Sequence, residues 1–375
     1  SASSDAITLA GDGTCTANIT NNLSNRNLVI NGAMQIAQRG TSSTSYGYAT
    51  VDRWRNTQSG VTVTPTQSQQ TATSSDTGIW EAGFRNYVRF ALPSAGTNSA
   101  ASWISFQSRI EAQNIANSGW EYTSTSSYIT VSFWIRASTN QTFYANVASS
   151  DGTGKRYSWA ITASANNTWT KITKTIPGHA DLQFDNDTGL GLSVQITPHY
   201  GTDFTGSSTL DSWVTSSGTN AYPDYATTWL TAGASTFDLT GVQVEVSDHA
   251  TDFEHRSYAQ ELALCQRYYI AFPAGYIGGG RGGSGGSLLL YSYNLPTPLR
   301  ASPTFEPSSG WSSSNGIRAY KYNGQSDSTS TPILATNGFI ANTNILYMSM
   351  AGHSIDDDRV ASFTHNNTLG INAEL

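Results

Sequence analysis

The stretch SYITVSFWIRAS (Ser127–Ser138) alternates along its length. Ile129, Val131, Phe133 and Ile135 fall on one side, and Thr130, Ser132, Trp134 and Arg136 on the other. A period of two puts successive side chains on opposite faces of a β-strand, so one face meets a core and the other looks away from it. GLGLSVQITPHY (Gly189–Tyr200) repeats the pattern, as do NYVRFAL, TFYANVAS, RYSWAITAS, TWTKITKTI and TFDLTGVQVEVS. Between these runs lie Gly, Asn and Asp clusters that suit turns: Ser150–Gly154, Ala165–Asn167 and Asp185–Asp187. Eight or more such strands between about residues 25 and 250 predict a two-sheet antiparallel β-sandwich or jelly roll. SRIEAQNIAN interrupts them with a helical spacing of Ala112, Ile115 and Ala116.

Composition agrees with an all-β reading. Charged residues make up only 12% of the 375, so Ser, Thr, Asn, Gln and Gly must carry the solubility, while 10 Trp, 19 Tyr and 13 Phe supply buried surface. A net charge of -7 without a Lys/Arg run argues against nucleic-acid or anionic-membrane partners. No apolar run approaches the roughly 18 residues that suggest a membrane span, so membrane insertion is not expected. Cys15 and Cys265 permit at most one disulfide, and two free thiols are expected. The chain starts without Met or a secretory leader, and reads as a fragment or a processed product.

Four regions follow. Residues 1–24 are short, polar and strand-poor, an arm or connector; 25–252 form the sandwich; 253–270 form a helical linker; 271–375 form a smaller β domain with the Gly-rich run GGGRGGSGGS (Gly278–Ser287). In the linker, FEHRSYAQELALCQRYY (Phe253–Tyr269), Ser257 and Gln260 make an S-x-x-Q capping box. Tyr258, Leu262, Cys265 and Tyr269, spaced 4, 3 and 4, form an a/d stripe of the kind by which helices pack about a common axis. Cys265 with upstream His255 also invites a nucleophile reading, but the Cys lies in mid-stripe and no acidic orienter accompanies the pair. A buried packing cysteine is the expectation.

NLVINGAMQIAQRG (Asn27–Gly40) followed by VDRWR (Val51–Arg55) resembles the opening of bacteriophage tail-fibre and related virion proteins of marine and cyanobacterial phages. QSRIEAQNI, ITVSFWIRAS and the closing LTGVQVEVSDHATDFEHRSYAQELALCQRYY are similar to later parts of that family, and NAEL (Asn372–Leu375) resembles its usual ending, which implies the natural C-terminus. The resemblance covers about residues 25–270. It implies a jelly roll similar to carbohydrate-binding modules and a homotrimeric, non-catalytic tail-fibre or tail-tip component of the virion. Such a component would attach to other tail proteins through its N-terminal arm and adhere to host-surface glycan or lipopolysaccharide. The seam stripe permits a three-fold helix contact. A purely structural virion appendage, or a glycan-depolymerising tailspike, are the alternatives.

Sugar contacts need an apolar platform with a hydrogen-bonding rim. Trp213, Tyr222, Tyr225 and Trp229, within the loop-like DSWVTSSGTNAYPDYATTWL, offer that composition. They could equally fold back onto the sandwich. Trp134 faces away from the Ile129/Phe133 side of its strand and could line a groove. Arg281, inside the Gly-rich run, is an anchor suited to carboxylate or phosphate if that run is a surface loop. No cofactor is called for. Glu245 and Gln35 would flank the structural Ca²⁺ that some carbohydrate-binding jelly rolls carry, and Asp356–Asp358 reads as a solvated turn.

Overall fold

The computed structural model describes residues 25–226, 228–272, 289–306 and 369–375, with short parts of the N-terminal arm and strand backbones between 275 and 365. Strands β1 (Ile7–Leu9) and β2 (Cys15–Ala17) make an antiparallel hairpin within the arm. The sandwich comprises β3 (Ser42–Ser43), β4 (Trp54–Ser59), β5 (Thr66–Thr71), β6 (Asn86–Ala91), β7 (Trp103–Glu111), β8 (Tyr128–Ala137) and β9 (Thr142–Ser149). It continues with β10 (Lys155–Thr162), β11 (Thr170–Pro177), β12 (Leu190–Tyr200), β13 (Trp213–Thr215) and β14 (Thr236–Val246). One sheet runs β13-β10-β9-β12-β7-β4 and the other β11-β8-β14-β6-β5-β3, and every pairing is antiparallel.

The predicted inward row is inward: Ile129, Val131, Phe133 and Ile135 are all 0% exposed. Across the sheets Phe90 meets Phe106 edge-on at 4.7 Å and Phe143 meets Phe237 at 5.0 Å. Each such buried side chain contributes about 1.5–3 kcal/mol. The expected helical interruption is α1 (Ala112–Ala116), with Ala112 and Ile115 buried.

Alternation alone implied a solvated outer face for β8. Instead Thr130 and Ser132 are buried: Thr130 lies against Thr175 (3.0 Å) and donates to the Ser247 carbonyl (2.8 Å), and residues 72–85 fold over the outside of the sheet beside Ser132 and Trp134. There Ile79, Phe84, Tyr87 and Trp169 make a second small core. Asp238, 0% exposed, takes both ends of the Arg89 guanidinium (2.8 and 2.9 Å) and one nitrogen of Arg136 (2.8 Å), while Arg136 also reaches Asp76 at 2.7 Å. This ion network fixes the covering segment to the sheet.

After α2 (Thr228–Thr231) and β14, the linker forms α3 (Tyr258–Gln266), capped as expected by both bonds of the Ser257/Gln260 box. Such a cap is worth about 1 kcal/mol. The stripe is not free for a neighbouring chain as a whole. Cys265 (0% exposed) and Tyr269 (4%) are buried against their own chain, whereas Tyr258 is 61% exposed. A helix lying on a sandwich spends its inward face on that sandwich first. Burial pushes the Cys265 thiol well up, which keeps it a packing group.

The chain leaves α3 into β15 (Tyr269–Phe272). Next come β16 (Gly275–Gly282), β17 (Leu289–Asn294), β18 (Thr304–Glu306), β19 (Ile317–Lys321), β20 (Ser326–Ser328) and β21 (Pro332–Ile333). Strands β22 (Ile345–Met350), β23 (Val360–His365) and β24 (Leu369–Asn372) complete the chain. A seven-stranded sheet runs β20-β19-β23-β16-β17-β22-β21, and a separate three-stranded sheet runs β15-β24-β18. The β15–β24 pairing, Tyr269 opposite Asn372, brings the final strand back to the linker. The smaller β domain is therefore tied to the body by its last strand as well as its first.

That return explains the long motifs at the two ends of the sandwich. Arg53 is 1% exposed, lies 3.5 Å from the centre of the Tyr268 ring and is ion-paired with Glu374. Arg39 lies over Tyr269 at 3.5 Å and reaches Glu374 at 3.3 Å. Glu111, 0% exposed, accepts two bonds from Arg267 (2.8 and 2.9 Å) and one from the Tyr268 hydroxyl. Asn31 bridges Ile36 and Asp52 through its carboxamide. Residues from NLVING, Q-R-G, D-R-W, L-C-Q-R-Y-Y and NAEL thus meet at this joint.

Two groups make stability pH-dependent in opposite directions. Burial raises the Asp52 carboxyl to about 6, against the downward pull of the Gln38 bonds and Arg39. Its contribution is therefore full below the ordinary carboxylate value and is lost as pH rises through about 6. Burial lowers His199 to about 4, so stability from that group is full above its ordinary value of 6.5 and is lost as pH falls toward 4. Asp52→Asn is expected to remove only the first contribution. In urea denaturation the wild-type minus variant difference should move in favour of wild type by up to about 3 kcal/mol between pH 7 and pH 4. A difference independent of pH would contradict the assignment.

Candidate functional site

Trp134 sits on β8 opposite Lys171 of β11 and Thr240 of β14. Just beyond Thr240 the β8–β14 register shifts, and Gly241 occupies the bulge at φ +65°. A Cβ on Gly241 would lie 2.6 Å from the Phe84 ring and 3.1 Å from the Trp134 indole. One on Gly78, at φ +93°, would lie 2.8 Å from the same indole. Two positive-φ glycines therefore give the indole a flat seat that a larger residue would destroy.

Above this seat is an open groove of about 350 Å³. Trp134, half-buried, and Ser132 line it; Phe253, half-buried, supplies further aromatic surface beside the buried Phe84; Glu81, Lys171, Asp252 and His255 supply the polar rim. Phe84 and Phe253 pack edge-on at 4.8 Å, and Phe253 meets His255 at 4.9 Å. The His255 Nε2–H donates to the Ala82 carbonyl at 2.9 Å, pinning the ring to the covering segment. Glu81, Lys171 and Asp252 are exposed, so their charges are presented to water at the groove edge. Apolar platform and exposed hydrogen-bonding groups together suit a neutral polar ligand with one apolar face, which is the chemistry of a pyranose ring.

Of the predicted platform residues, only Trp134 lies in this groove. Trp213 is 8% exposed, packs on Tyr157 at 5.6 Å and donates its indole N–H to Pro177 at 2.7 Å. Tyr222 is 0% exposed, stacks on Tyr144 at 5.5 Å and has its hydroxyl within 3.0 Å of Thr197 Oγ1. Tyr225 meets Tyr144 edge-on at 4.8 Å and donates to the Thr197 carbonyl at 3.0 Å. Trp229 is 0% exposed in the main core, its N–H donated to Thr236 at 2.9 Å. These four are corrections: Trp213 and Trp229 join the main core, and Tyr222 and Tyr225 pack in a separate aromatic cluster with Tyr144, because large rings gain more by packing where their polar atoms find partners than by standing in water.

The Gly-rich run is likewise no simple loop, because Gly278–Gly282 belong to β16. Arg281 pairs through its backbone with Leu290 and Val360; its side chain lies outside the described residues, as does the Asp356–Asp358 turn. Glu245 and Gln35 do not flank a common site. Glu245 is turned to its own surroundings, accepting from the Thr251 backbone (2.9 Å), the Thr251 hydroxyl (2.6 Å) and Gln243 (3.0 Å), with Arg26 at 3.9 Å. Among the described residues no group of three or more His, Cys, Asp or Glu could hold a metal, and no helix is long and apolar enough to cross a membrane.

The sequence reading missed Phe84, Phe253, His255 and Lys171 as groove residues. One signal was present: Gly241 interrupts the alternation of TFDLTGVQVEVS, which marks a bulge or a close approach.

No protein-family model matches this sequence, and no curated protein matches it. Solved structures are similar at the level of the sandwich. Tailspike protein 4 of Bacteriophage CBA120 (enzymatically active domain) is 12% identical with a TM-score of 0.32, over 59% of this chain and 21% of that one. The chain thus spans about a fifth of that tailspike domain's length. A family 4 carbohydrate-binding module is 15% identical with a TM-score of 0.31, over 58% of this chain and 99% of the module. The family 11 carbohydrate-binding module of Clostridium thermocellum cellulase Lic26A-Cel5E is 12% identical with a TM-score of 0.27, over 58% and 98%. Fold and site together define an all-β sandwich with an aromatic-lined groove on one outer face.

Proposed function

We propose that this chain is a non-catalytic adhesion protein of the phage tail-fibre or tail-tip type, which holds host-envelope glycan or lipopolysaccharide in the Trp134 groove. The observation that carries this reading is the seat itself. A half-buried indole is fixed by Gly78 and Gly241 and bordered by exposed Glu81, Lys171, Asp252 and His255. Virion location, attachment through residues 1–24 and assembly as a homotrimer rest on the resemblance of the end motifs to tail-fibre proteins. Valency would then multiply a modest single-site affinity.

The reading is non-catalytic because Glu81 and Asp252, the carboxylates of the groove, both face water. A glycosidase needs one carboxyl kept protonated by a desolvated setting. Titration calorimetry of the full chain with host-envelope polysaccharide, followed by a reducing-end assay on the same sample, tests both halves. Saturable binding without new reducing ends is expected. Absence of binding contradicts adhesion, and new reducing ends contradict the non-catalytic assignment.

A further inference from the structure

The segment Phe253–Tyr258 carries aromatic side chains to two places. Phe253 and His255 enter the Trp134 groove, while Tyr258, the first residue of α3, borders a second pocket of about 210 Å³ with Ala33, Gln35, Arg85 and Asn86. Phe84 lines both pockets. The divide between them is the Gly83–Phe84 turn, against which His255 packs so closely that a Cβ on Gly83 would lie 3.0 Å from its Nε2. Tyr258 is 61% exposed, a large ring left in water beside a pocket whose other side chains are mostly polar. With Cys265 and Tyr269 turned into the body, Tyr258 is not held in a continuous packing stripe.

We infer that Tyr258 is the platform of a second sugar subsite, and that the ligand is an extended oligosaccharide crossing the Gly83–Phe84 divide. This rests on the glycan-binding role of the Trp134 groove. A linear chain would stack one ring on Trp134, pass over the glycine-bearing divide and stack a later ring on Tyr258. Gln35, Arg85 and Asn86 would offer hydrogen bonds to hydroxyls at the second position. A terminal monosaccharide would fill the first pocket alone.

The test uses size-fractionated fragments of host lipopolysaccharide polysaccharide, one repeat and three repeats long, titrated against the full chain. Wild type is expected to bind the longer fragment more tightly. Tyr258→Ala should lose about tenfold toward the three-repeat fragment and nothing toward the single repeat, a stacking contribution of usual size. Tyr258→Phe, which keeps the ring, should retain most of the gain. Circular dichroism of the exposed-site variants checks that α3 is intact. If Tyr258→Ala binds both lengths like wild type while Trp134→Ala binds neither, the second subsite is overturned and the groove stands. Equal loss toward both lengths also overturns a separate subsite. If Trp134→Ala binds both lengths unchanged, the adhesion reading falls, and this inference with it.

Discussion

Arg53→Met is expected to destabilise the protein by about 3–5 kcal/mol, the cost of breaking a buried ion pair from one side. Arg53 is 1% exposed, donates to the Arg109 carbonyl, pairs with Glu374 and lies against the Tyr268 ring at 3.5 Å. Burial, the largest influence, disfavours its charge, and Glu374 together with Tyr268, Tyr48 and Cys265 more than restores it. Methionine keeps much of the packing volume but leaves Glu374, which is 5% exposed, facing Arg39 alone at 3.3 Å. The double variant Arg53→Met/Glu374→Gln should recover part of the loss, because the stranded charge is gone. Guanidinium denaturation followed by tryptophan fluorescence reads both. A loss below about 1 kcal/mol, the range of exposed pairs, would mean that the joint does not hold the terminal strand to the body.

The second large effect is on binding. Trp134→Ala should weaken the affinity for host-envelope glycan by about 2–4 kcal/mol, or roughly 30-fold or more, as expected for a central aromatic anchor. Trp134→Phe should retain part of that affinity, since a smaller ring still stacks. The indole also covers Gly78 and Gly241, so a thermal melt of each variant separates loss of the platform from loss of fold. A rim substitution, Lys171→Ala, should cost less than either. Loss of affinity for Lys171→Ala with none for Trp134→Ala would place recognition in the charge and not in the ring.

The sandwich was legible because Ile129, Val131, Phe133 and Ile135 alternate with polar residues, and strand periodicity is a local property. The Ser257/Gln260 cap was legible for the same reason. What covers the outer faces was not, because alternation marks a face as polar without saying whether another segment lies on it. Trp213, Tyr222 and Trp229 have the composition of a sugar platform and the burial of a core, and Tyr225 is partly buried against Tyr222. Only the three-dimensional path of residues 201–231 separates these. The linker stripe was legible only in part, since Cys265 and Tyr269 are buried in their own chain while Leu262 is half-buried and Tyr258 exposed. The end motifs were recognisable as words, yet their common destination depends on contacts such as Arg53–Glu374, which are 321 residues apart in sequence. The Trp134 groove was half legible: the strand pointed the indole outward, while the bulge at Gly241 and the arrival of Phe84, Phe253 and His255 needed the fold.

The most direct measurement is the crystal structure of the full chain soaked with a host-envelope oligosaccharide. A pyranose ring stacked on Trp134, with its hydroxyls bonded to groups of the groove rim, is the predicted result. A sugar bound on the β13–β4 sheet or on the seven-stranded C-terminal sheet, with the Trp134 groove holding none, would contradict it.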